Sequence, residues 1–265
     1  MRATLECLER NLRKLYSFLA PWPGWRVGEE NGLLWCESPI AHEAFNKVLE
    51  CQVSGSDAAE RIAKLKDRAA ARHVPFGFWV GPTSRPKNLE EILATLGFHR
   101  QALAWAMARP LDDAPLPPQP ANVSVQVLEG PELWPQWLEI FTQVFQLPPV
   151  LAQAYGQQLA CGGFGYGVPL RHYLAFYRGR PAGIASIFQD DSALGIYNFG
   201  TVPSLRGRGV GTYLLATLLE AGRAQGLKLA VLRGTTEAYG FYLRQAFRHL
   251  ARYELFRFAP SVTVL

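Results

Sequence analysis

The sequence predicts an α/β protein with a mixed sheet, built from two similar units in tandem, and three observations carry that prediction. The order helix, strand, helix, small residue and Phe, strand over residues 57–108 returns over residues 209–258. Three apolar runs within 172–202 are joined by the turns Arg178-Gly179-Arg180-Pro181 and Gln189-Asp190-Asp191-Ser192, which makes an antiparallel meander. A glycine triplet, Gly207, Gly209 and Gly211, then leads at once into a helix.

The first element is a helix whose apolar stripe is Leu5, Leu8, Leu12, Leu15 and Leu19, stopped by Pro21 and Pro23. It reads as a helix packed on its own half, with a coiled-coil seam as the alternative. A helix over 57–72 follows with Ile62 and Leu65 facing inward, then a strand over 76–80 closed by Gly81 and Pro82. A helix over 88–96 leads through Gly97 and Phe98 into an alternating run over 102–108. Pro110, Pro115, Pro117, Pro118 and Pro120 then interrupt any helix or sheet, so residues 110–121 read as a stiff linker between domains 1–109 and 122–265.

After the linker, residues 123–128 alternate as a strand, helices cover 131–145 and 150–159, and strands cover 172–177, 182–188 and 193–202. A helix over 209–224, a strand over 227–232, a helix over 238–245, the pair Ala246-Phe247 and a strand over 250–258 complete the chain. The predicted order of this half is β-α-α-β-β-β-α-β-α-β.

Composition narrows the function. Of 265 residues, 49% are hydrophobic and 18% charged, so the chain buries a substantial core and global disorder is excluded. The formal charge is +5, yet no run of like charges occurs, and such a diffuse basic surface suits a small anionic ligand at least as well as nucleic acid. Cys7, Cys36, Cys51 and Cys161 stand apart without metal-ligand spacing, so no metal is expected and the thiols read as reduced. No stretch approaches the roughly 20 apolar residues of a membrane span, and the start of the chain interleaves Glu6, Glu9, Arg10 and Lys14, unlike a signal peptide. A cytoplasmic protein is expected.

The chemistry concentrates in Val202-Pro203-Ser204-Leu205-Arg206-Gly207-Arg208-Gly209-Val210-Gly211-Thr212. Glycines at alternate positions let backbone N–H groups turn toward one point, the following helix start adds unpaired donors and partial positive charge, and Arg206 and Arg208 add formal charge. A pyrophosphate fits this description. The Gly-Lys-Ser/Thr of a Walker loop is absent, and a dinucleotide fingerprint would need glycine where Thr212 stands.

The run Arg206-Gly207-Arg208-Gly209-Val210-Gly211 resembles the Arg/Gln-x-x-Gly-x-Gly/Ala signature of the GCN5-related N-acetyltransferase (GNAT) superfamily, with the strand ending Ile196-Tyr197-Asn198-Phe199-Gly200-Thr201-Val202 before it. Downstream, Tyr239-Gly240-Phe241-Tyr242-Leu243-Arg244-Gln245-Ala246-Phe247 resembles the family's closing helix, with Ala246 replacing the glycine of its Gly-Phe pair. The resemblance covers about residues 122–260. A weaker one, through Trp79-Val80-Gly81-Pro82, residues 89–96 and Gly97-Phe98, implies a degenerate GNAT-like first half. Residues 52–57 there lack the arginines and the glycine triplet, which implies that this half does not hold coenzyme A in the usual way.

The resemblance implies a GNAT acyl-CoA acyltransferase fold and acetyl-CoA as co-substrate. By position, Phe199, Thr201 and Val202 would give main-chain contacts to the pantetheine arm, and Arg206, Gly207, Arg208, Gly209, Val210, Gly211 and Thr212 would hold the pyrophosphate. A backbone N–H near Asn198 or Phe199 would polarise the thioester carbonyl. Tyr242 falls where the family places the tyrosine that protonates the departing sulfur, with Tyr239 as the alternative donor. Many relatives carry a glutamate on the fourth strand as base; this strand has no carboxylate, and Glu237 is a substitute whose other reading is a first-turn helix charge.

The expected function is transfer of acetyl to a primary amine of a small molecule, amino acid or peptide terminus. Alternatives are a non-catalytic CoA-binding regulatory module and an acyltransferase using a longer acyl or aminoacyl donor. The glycine-rich run Cys161-Gly162-Gly163-Phe164-Gly165-Tyr166-Gly167 reads as a mobile lid or as a plain connection. Trp134, Trp137, Phe141 and Phe145 lie at helical spacing and read as core. Neither nucleic acid nor membrane is an expected partner, and a monomer is favoured over a homodimer formed through the leucine stripe.

Overall fold

The computed structural model describes residues 2–30, 32–53, 57–111 and 118–260. Most of the expected linker, residues 112–117, lies outside the described residues, as do residues 54–56 of the segment before the second helix. Contacts divide the chain into two compact units that are not its linear halves. The N-terminal unit comprises Tyr16–Trp105, Thr235–Glu237 and the described residues from Ala251 on. The C-terminal unit comprises Ala106–Gly234, Ala238–Leu250 and the described residues up to Leu15.

Helix α1 (Arg2–Leu19) forms where the leucine stripe predicts it, and Leu8, Leu12, Leu15 and Leu19 are buried. Its residues up to Leu15 belong to the C-terminal unit, which corrects the expectation that the helix packs on its own half. The reason is Asn11, a fully buried side chain on α1. Its Nδ2 donates to the carbonyls of Phe188 (3.3 Å) and Ala193 (3.2 Å), and its Oδ1 accepts from the Tyr197 hydroxyl at 2.8 Å. The Ala193 carbonyl also accepts the Asp190 N–H at 3.2 Å, so Asn11 adds a donor to a turn that is already hydrogen-bonded and ties it to α1.

In the N-terminal unit, β1 (Arg26–Glu30), β2 (Leu33–Glu37) and β3 (Lys47–Cys51) form an antiparallel meander that the sequence reading missed. Every residue of β2 is buried, so the strand shows no alternation, and β1 is mostly polar. Helix α2 (Ala58–Ala71) crosses over to β4 (Phe76–Val80), which runs parallel to β3. Helix α3 (Leu89–Thr95) then leads into β5 (His99–Pro110) through Gly97 at φ +82° and the buried Phe98. Phe98 meets Phe76 and Phe78 edge-on at 6.5 and 6.2 Å, in a core with Val48, Ile62, Leu65, Leu93 and Phe256. Pro110, expected in the linker, is the last residue of β5, a place where proline's missing N–H removes no needed bond.

The C-terminal unit follows the predicted order. β6 (Val123–Val127) precedes α4 (Trp134–Phe145) and α5 (Pro149–Ala160), with a 3-10 turn at Pro131–Leu133 where one continuous helix was expected. β7 (Leu170–Tyr177), β8 (Arg180–Gln189) and β9 (Leu194–Thr201) pair antiparallel in sequence, with β6 on the outer side of β7. Helix α6 (Val210–Ala224) crosses to β10 (Leu229–Thr235), parallel to β9, and the end of β5 lies along β10. Helix α7 (Thr236–Arg244) and β11 (Arg248–Phe258) follow. Within the N-terminal unit, the last residues of β11 pair with β4 from Glu254↔Val80 to Phe258↔Phe76.

Candidate functional site

The site grows from a parting of two strands. The register between β9 and β10 runs Leu194↔Ala230, Gly195↔Val231 and Ile196↔Leu232, while β9 continues to Thr201 paired only with β8 in that register. One edge of residues 197–201 is therefore left facing away from β10's ladder. Beyond the strand the Val202 N–H donates to the Ala182 carbonyl at 2.9 Å, and the Val202 carbonyl accepts the Leu205 N–H at 2.9 Å. Both main-chain groups of Val202 are engaged, so it leaves the expected main-chain set. Alternation along β9 turns Phe199 and Thr201 to the opposite edge, the parted one.

A 3-10 turn, Pro203–Leu205, then reverses the chain, and the loop 206–209 delivers it into α6. Gly207 at φ +75° and Gly209 at φ +82° both occupy left-handed backbone that a side chain would strain. A Cβ on Gly207 would meet nothing within 4 Å, so the glycine is there for conformation and leaves open space beside the loop. The first helical bond is Tyr213 N–H to the Gly209 carbonyl at 3.0 Å, which leaves the N–H groups of Val210, Gly211 and Thr212 at the helix start. Arg206 and Arg208 are exposed beside them. Arg206 Nε reaches the Thr201 carbonyl at 3.4 Å, and the Arg208 guanidinium stands 5.6 Å from the Tyr177 ring centre. The loop is thus a cationic cradle of backbone donors open to solvent, which fits a diphosphate.

At the parted strands the aromatic side chains gather. Phe199 of β9 stacks on Phe241 of α7 at 5.7 Å and meets Tyr242 at 5.9 Å. Tyr242 is 4% exposed, and burial pushes its phenol well above the usual tyrosine range, so it is held protonated. Tyr239, the alternative donor, packs edge-on against His249 at 6.1 Å. Glu237 belongs to the N-terminal unit and is exposed. Its own backbone N–H and the Thr235 side chain hold its carboxyl below the usual range, making it a weaker base than an ordinary glutamate.

Asn198 interrupts β9 in left-handed backbone at φ +49°, next to a register shift in β8 between Ile184 and Ser186. Its Nδ2 lies 3.3 Å from Ser186 Oγ and 3.4 Å from the Tyr155 hydroxyl. Ser186 is in turn 2.8 Å from Nδ1 of His172, its cross-strand partner on β7. His172 is enclosed by Trp134, Trp137 and Phe164, at centroid distances of 4.9, 5.4 and 6.4 Å. Burial pushes its imidazole down to about 3, so it is neutral at physiological pH.

Sequence reasoning missed His172, Ser186 and Tyr155, because they meet only through cross-strand register and the packing of α5. Trp134, Trp137 and Phe141 are core, as expected, while Phe145 is 40% exposed. The glycine-rich run is pinned: Gly165 N–H donates to the Leu128 carbonyl at 2.9 Å, and Phe164 packs edge-on against Trp134 at 5.4 Å. Among the described residues no group of three or more metal-ligating side chains assembles, and no helix is long and apolar enough to cross a membrane.

Comparison with known proteins agrees with this geometry. The family model described as acetyltransferase (GNAT) family matches residues 134–247. A GCN5-related N-acetyltransferase from Kribbella flavida superposes with a TM-score of 0.72 at 16% identity, covering 97% of both chains. A functionally unknown conserved protein from Staphylococcus epidermidis superposes at 0.68 with 16% identity, over 88% of this chain and 93% of that one. A tandem GNAT protein from the clavulanic acid biosynthesis pathway superposes at 0.63 with 15% identity, over 91% and 85% of the two chains. No curated protein matches the sequence. At these identities the superpositions establish the fold: the chain has a tandem GNAT-type fold, in which residues 134–247 match the acetyltransferase (GNAT) family model.

Proposed function

We propose that the protein is an acetyl-CoA-dependent N-acetyltransferase acting on a primary amine. The observation that carries this reading is the continuity of β9's parted edge with the loop 206–212 and the start of α6. A strand edge offering the main-chain groups of Phe199 and the N–H of Thr201 suits the amides of a pantetheine arm, and the cradle beyond it suits the diphosphate. Bound acetyl-CoA supplies the acetyl group as a thioester whose C–S bond is exchanged for a C–N bond, one proton leaving nitrogen and one joining sulfur.

The chain's own residues divide that work. The N–H groups of Val210, Gly211 and Thr212, with Arg206 and Arg208, hold the anionic end; charge-assisted bonds of this kind are worth roughly 1.5–3 kcal/mol each. Tyr242 keeps its phenolic proton because burial disfavours the phenolate, and it gives that proton to the departing sulfur before regaining one from solvent. A backbone N–H at Asn198 or Phe199 polarises the carbonyl. The proton leaving the amine passes to water, since neither Glu237 nor His172 has the elevated basicity a base would need.

The first half, on this reading, supports the second and takes no cofactor of its own. Helix α2, its counterpart of α6, begins at Asp57, whose carboxylate already bonds Arg61 at 2.8 Å. A negative charge there disfavours a phosphate.

The test is calorimetric titration of acetyl-CoA into the protein and its Gly211→Val variant, followed by thiol release with a mixed pool of amines. Saturable binding lost in the variant, with thiol released only when amine is present, is the expected result. Binding without turnover on any amine would replace the enzyme with a CoA-binding module, and undiminished binding by the variant would move the cofactor elsewhere.

A further inference from the structure

The hydrogen-bond chain His172, Ser186, Asn198 and Tyr155 has a direction that its surroundings decide. His172 Nε2 is buried with no hydrogen-bond partner, and the rings packed against the imidazole are those of Trp134, Trp137 and Phe164. Ring faces accept an N–H and repel a lone pair, so Nε2 carries the imidazole proton and Nδ1 the lone pair. Nδ1 then accepts the hydroxyl proton of Ser186 across 2.8 Å.

A serine has one proton to give, so Ser186 Oγ faces Asn198 as an acceptor only. Asn198 must therefore present its amino group, and Nδ2 lies 3.3 Å away. The second amide hydrogen is directed at the Tyr155 oxygen, 3.4 Å from the same nitrogen. Both amide hydrogens are committed inward. The carboxamide oxygen faces the other way, without a protein partner among the described residues, on a residue that is only part-buried. Asn198 itself lies beyond Ile196, where β9 has parted from β10.

We propose that Asn198 orients the amine substrate: its outward carboxamide oxygen accepts an N–H from the incoming nitrogen, and Ser186 and His172 are positioning residues that fix the amide's orientation. The proposal rests on the acetyltransferase reading and deepens it by naming a substrate class. A neutral carboxamide does not stabilise an ammonium as a carboxylate would, and the imidazole behind it is neutral and turned away. The site thus selects amines that arrive uncharged, which are weakly basic primary amines such as aromatic amines. The exposed apolar ring nearby is Phe145, which lies 4.9 Å from the buried Phe141, whose ring is in turn 5.2 Å from that of Tyr155.

Two measurements on the full chain test it. Nitrogen-15 NMR of the histidine imidazoles, with His172 assigned by its loss in His172→Phe, reads the tautomer directly: a protonated Nε2 is expected, and a protonated Nδ1 overturns the relay. Steady-state kinetics with a weakly basic aromatic amine and a strongly basic alkylamine reads the specificity. Ser186→Ala should raise the KM of the aromatic amine about tenfold while acetyl-CoA affinity stays unchanged, the scale of one lost hydrogen bond. Asn198→Asp should raise the alkylamine-to-aromatic ratio of kcat/KM about tenfold or more, and an unmoved ratio overturns the assignment of Asn198. If acetyl-CoA does not bind the unmodified protein, the acetyltransferase reading falls and the substrate role with it. If it binds and turns over while Nδ1 carries the proton, the relay alone falls.

Discussion

Gly234, near the end of β10, is the surface on which the ring of Tyr242 lies. A Cβ at residue 234 would stand 2.9 Å from Tyr242 Cε2 and 3.0 Å from Cδ2, closer than packed carbons approach. The glycine thus sets the ring's position, and Phe199, Phe241 and Phe247 hold its other sides at 5.9, 5.3 and 5.6 Å. Two variants separate position from chemistry. Tyr242→Phe keeps the packing and removes the proton, so kcat should fall by about 10²- to 10⁴-fold with little change in acetyl-CoA affinity. Gly234→Ala keeps the proton and displaces the ring, so it should lower both turnover and stability, the latter by about 1–3 kcal/mol. Single-turnover kinetics and urea unfolding distinguish the two, and full activity in Tyr242→Phe would remove the tyrosine from the chemistry.

The anion loop predicts a split between charge and shape. Arg206→Ala and Arg208→Ala remove exposed charge, so acetyl-CoA affinity should fall and its dependence on salt become shallower. Gly207→Ala adds a methyl into open space but keeps left-handed backbone, at a strain of about 1–2 kcal/mol. That variant should weaken binding with its salt dependence intact. Titrations at two ionic strengths check both, and identical salt slopes in all variants would dissociate the arginines from the ligand.

Glu237 provides a control in which little should change. It is exposed, and hydrogen bonds to its own backbone and to Thr235 lower its pKa, the reverse of what a general base at neutral pH needs. Glu237→Gln should leave kcat and its pH profile within about twofold, the outcome for a helix-terminal charge. A tenfold loss of kcat that grows at low pH would restore it as the base.

How much of the fold and the site is legible in the sequence depends on the kind of signal. The loop 206–212 is readable because left-handed backbone demands glycine, and the structure puts Gly207 and Gly209 there. The order of elements from β6 to β11 is readable because each carries its own periodicity and turn residues. β2 is not, since five consecutive buried residues read equally as strand or core helix. His172, Ser186 and Tyr155 are invisible for another reason: they are joined by the β7–β8 register and by a left-handed residue in β9, neither of which leaves a local pattern. Asn11 belongs with them, its three partners lying more than 170 positions away in the chain.

Asn11 carries a stability prediction. Its side chain is fully buried and meets two carbonyls and one hydroxyl, while Gly195 leaves it room: a Cβ there would stand 1.9 Å from Asn11 Oδ1. Asn11→Ala removes three hydrogen bonds, including the one to the Tyr197 hydroxyl, while the Ala193 carbonyl keeps the Asp190 N–H at 3.2 Å; a buried group left unmet costs roughly 1–3 kcal/mol before any water enters. A loss of about 2–4 kcal/mol is expected, read as a lower urea midpoint. Deleting α1 should then act on the C-terminal unit, seen as weaker acetyl-CoA binding, and an unchanged midpoint in Asn11→Ala would mean that water replaces the amide at no cost.

The buried imidazole makes stability depend on pH in a direction that can be worked out. Burial lowers the pKa of His172 in the folded state to about 3, against 6.5 for an unperturbed histidine. Between those values the unfolded chain binds a proton that the folded chain does not, so unfolding is favoured as pH falls. The contribution is complete above pH 6.5 and declines below it by up to about 1.4 kcal/mol per pH unit, until the folded imidazole itself protonates. Carboxylates titrate in the lower part of this window, so the measurement is the difference between the protein and His172→Phe, which keeps a ring among Trp134, Trp137 and Phe164 and cannot take up a proton. Between about pH 7 and pH 4.5 the unmodified protein should lose about 2 kcal/mol more than the variant in urea unfolding. Parallel curves would show that His172 takes up its proton in the folded protein as readily as in the unfolded chain, and once charged it would donate to Ser186 and reverse every hydrogen bond from there to Asn198.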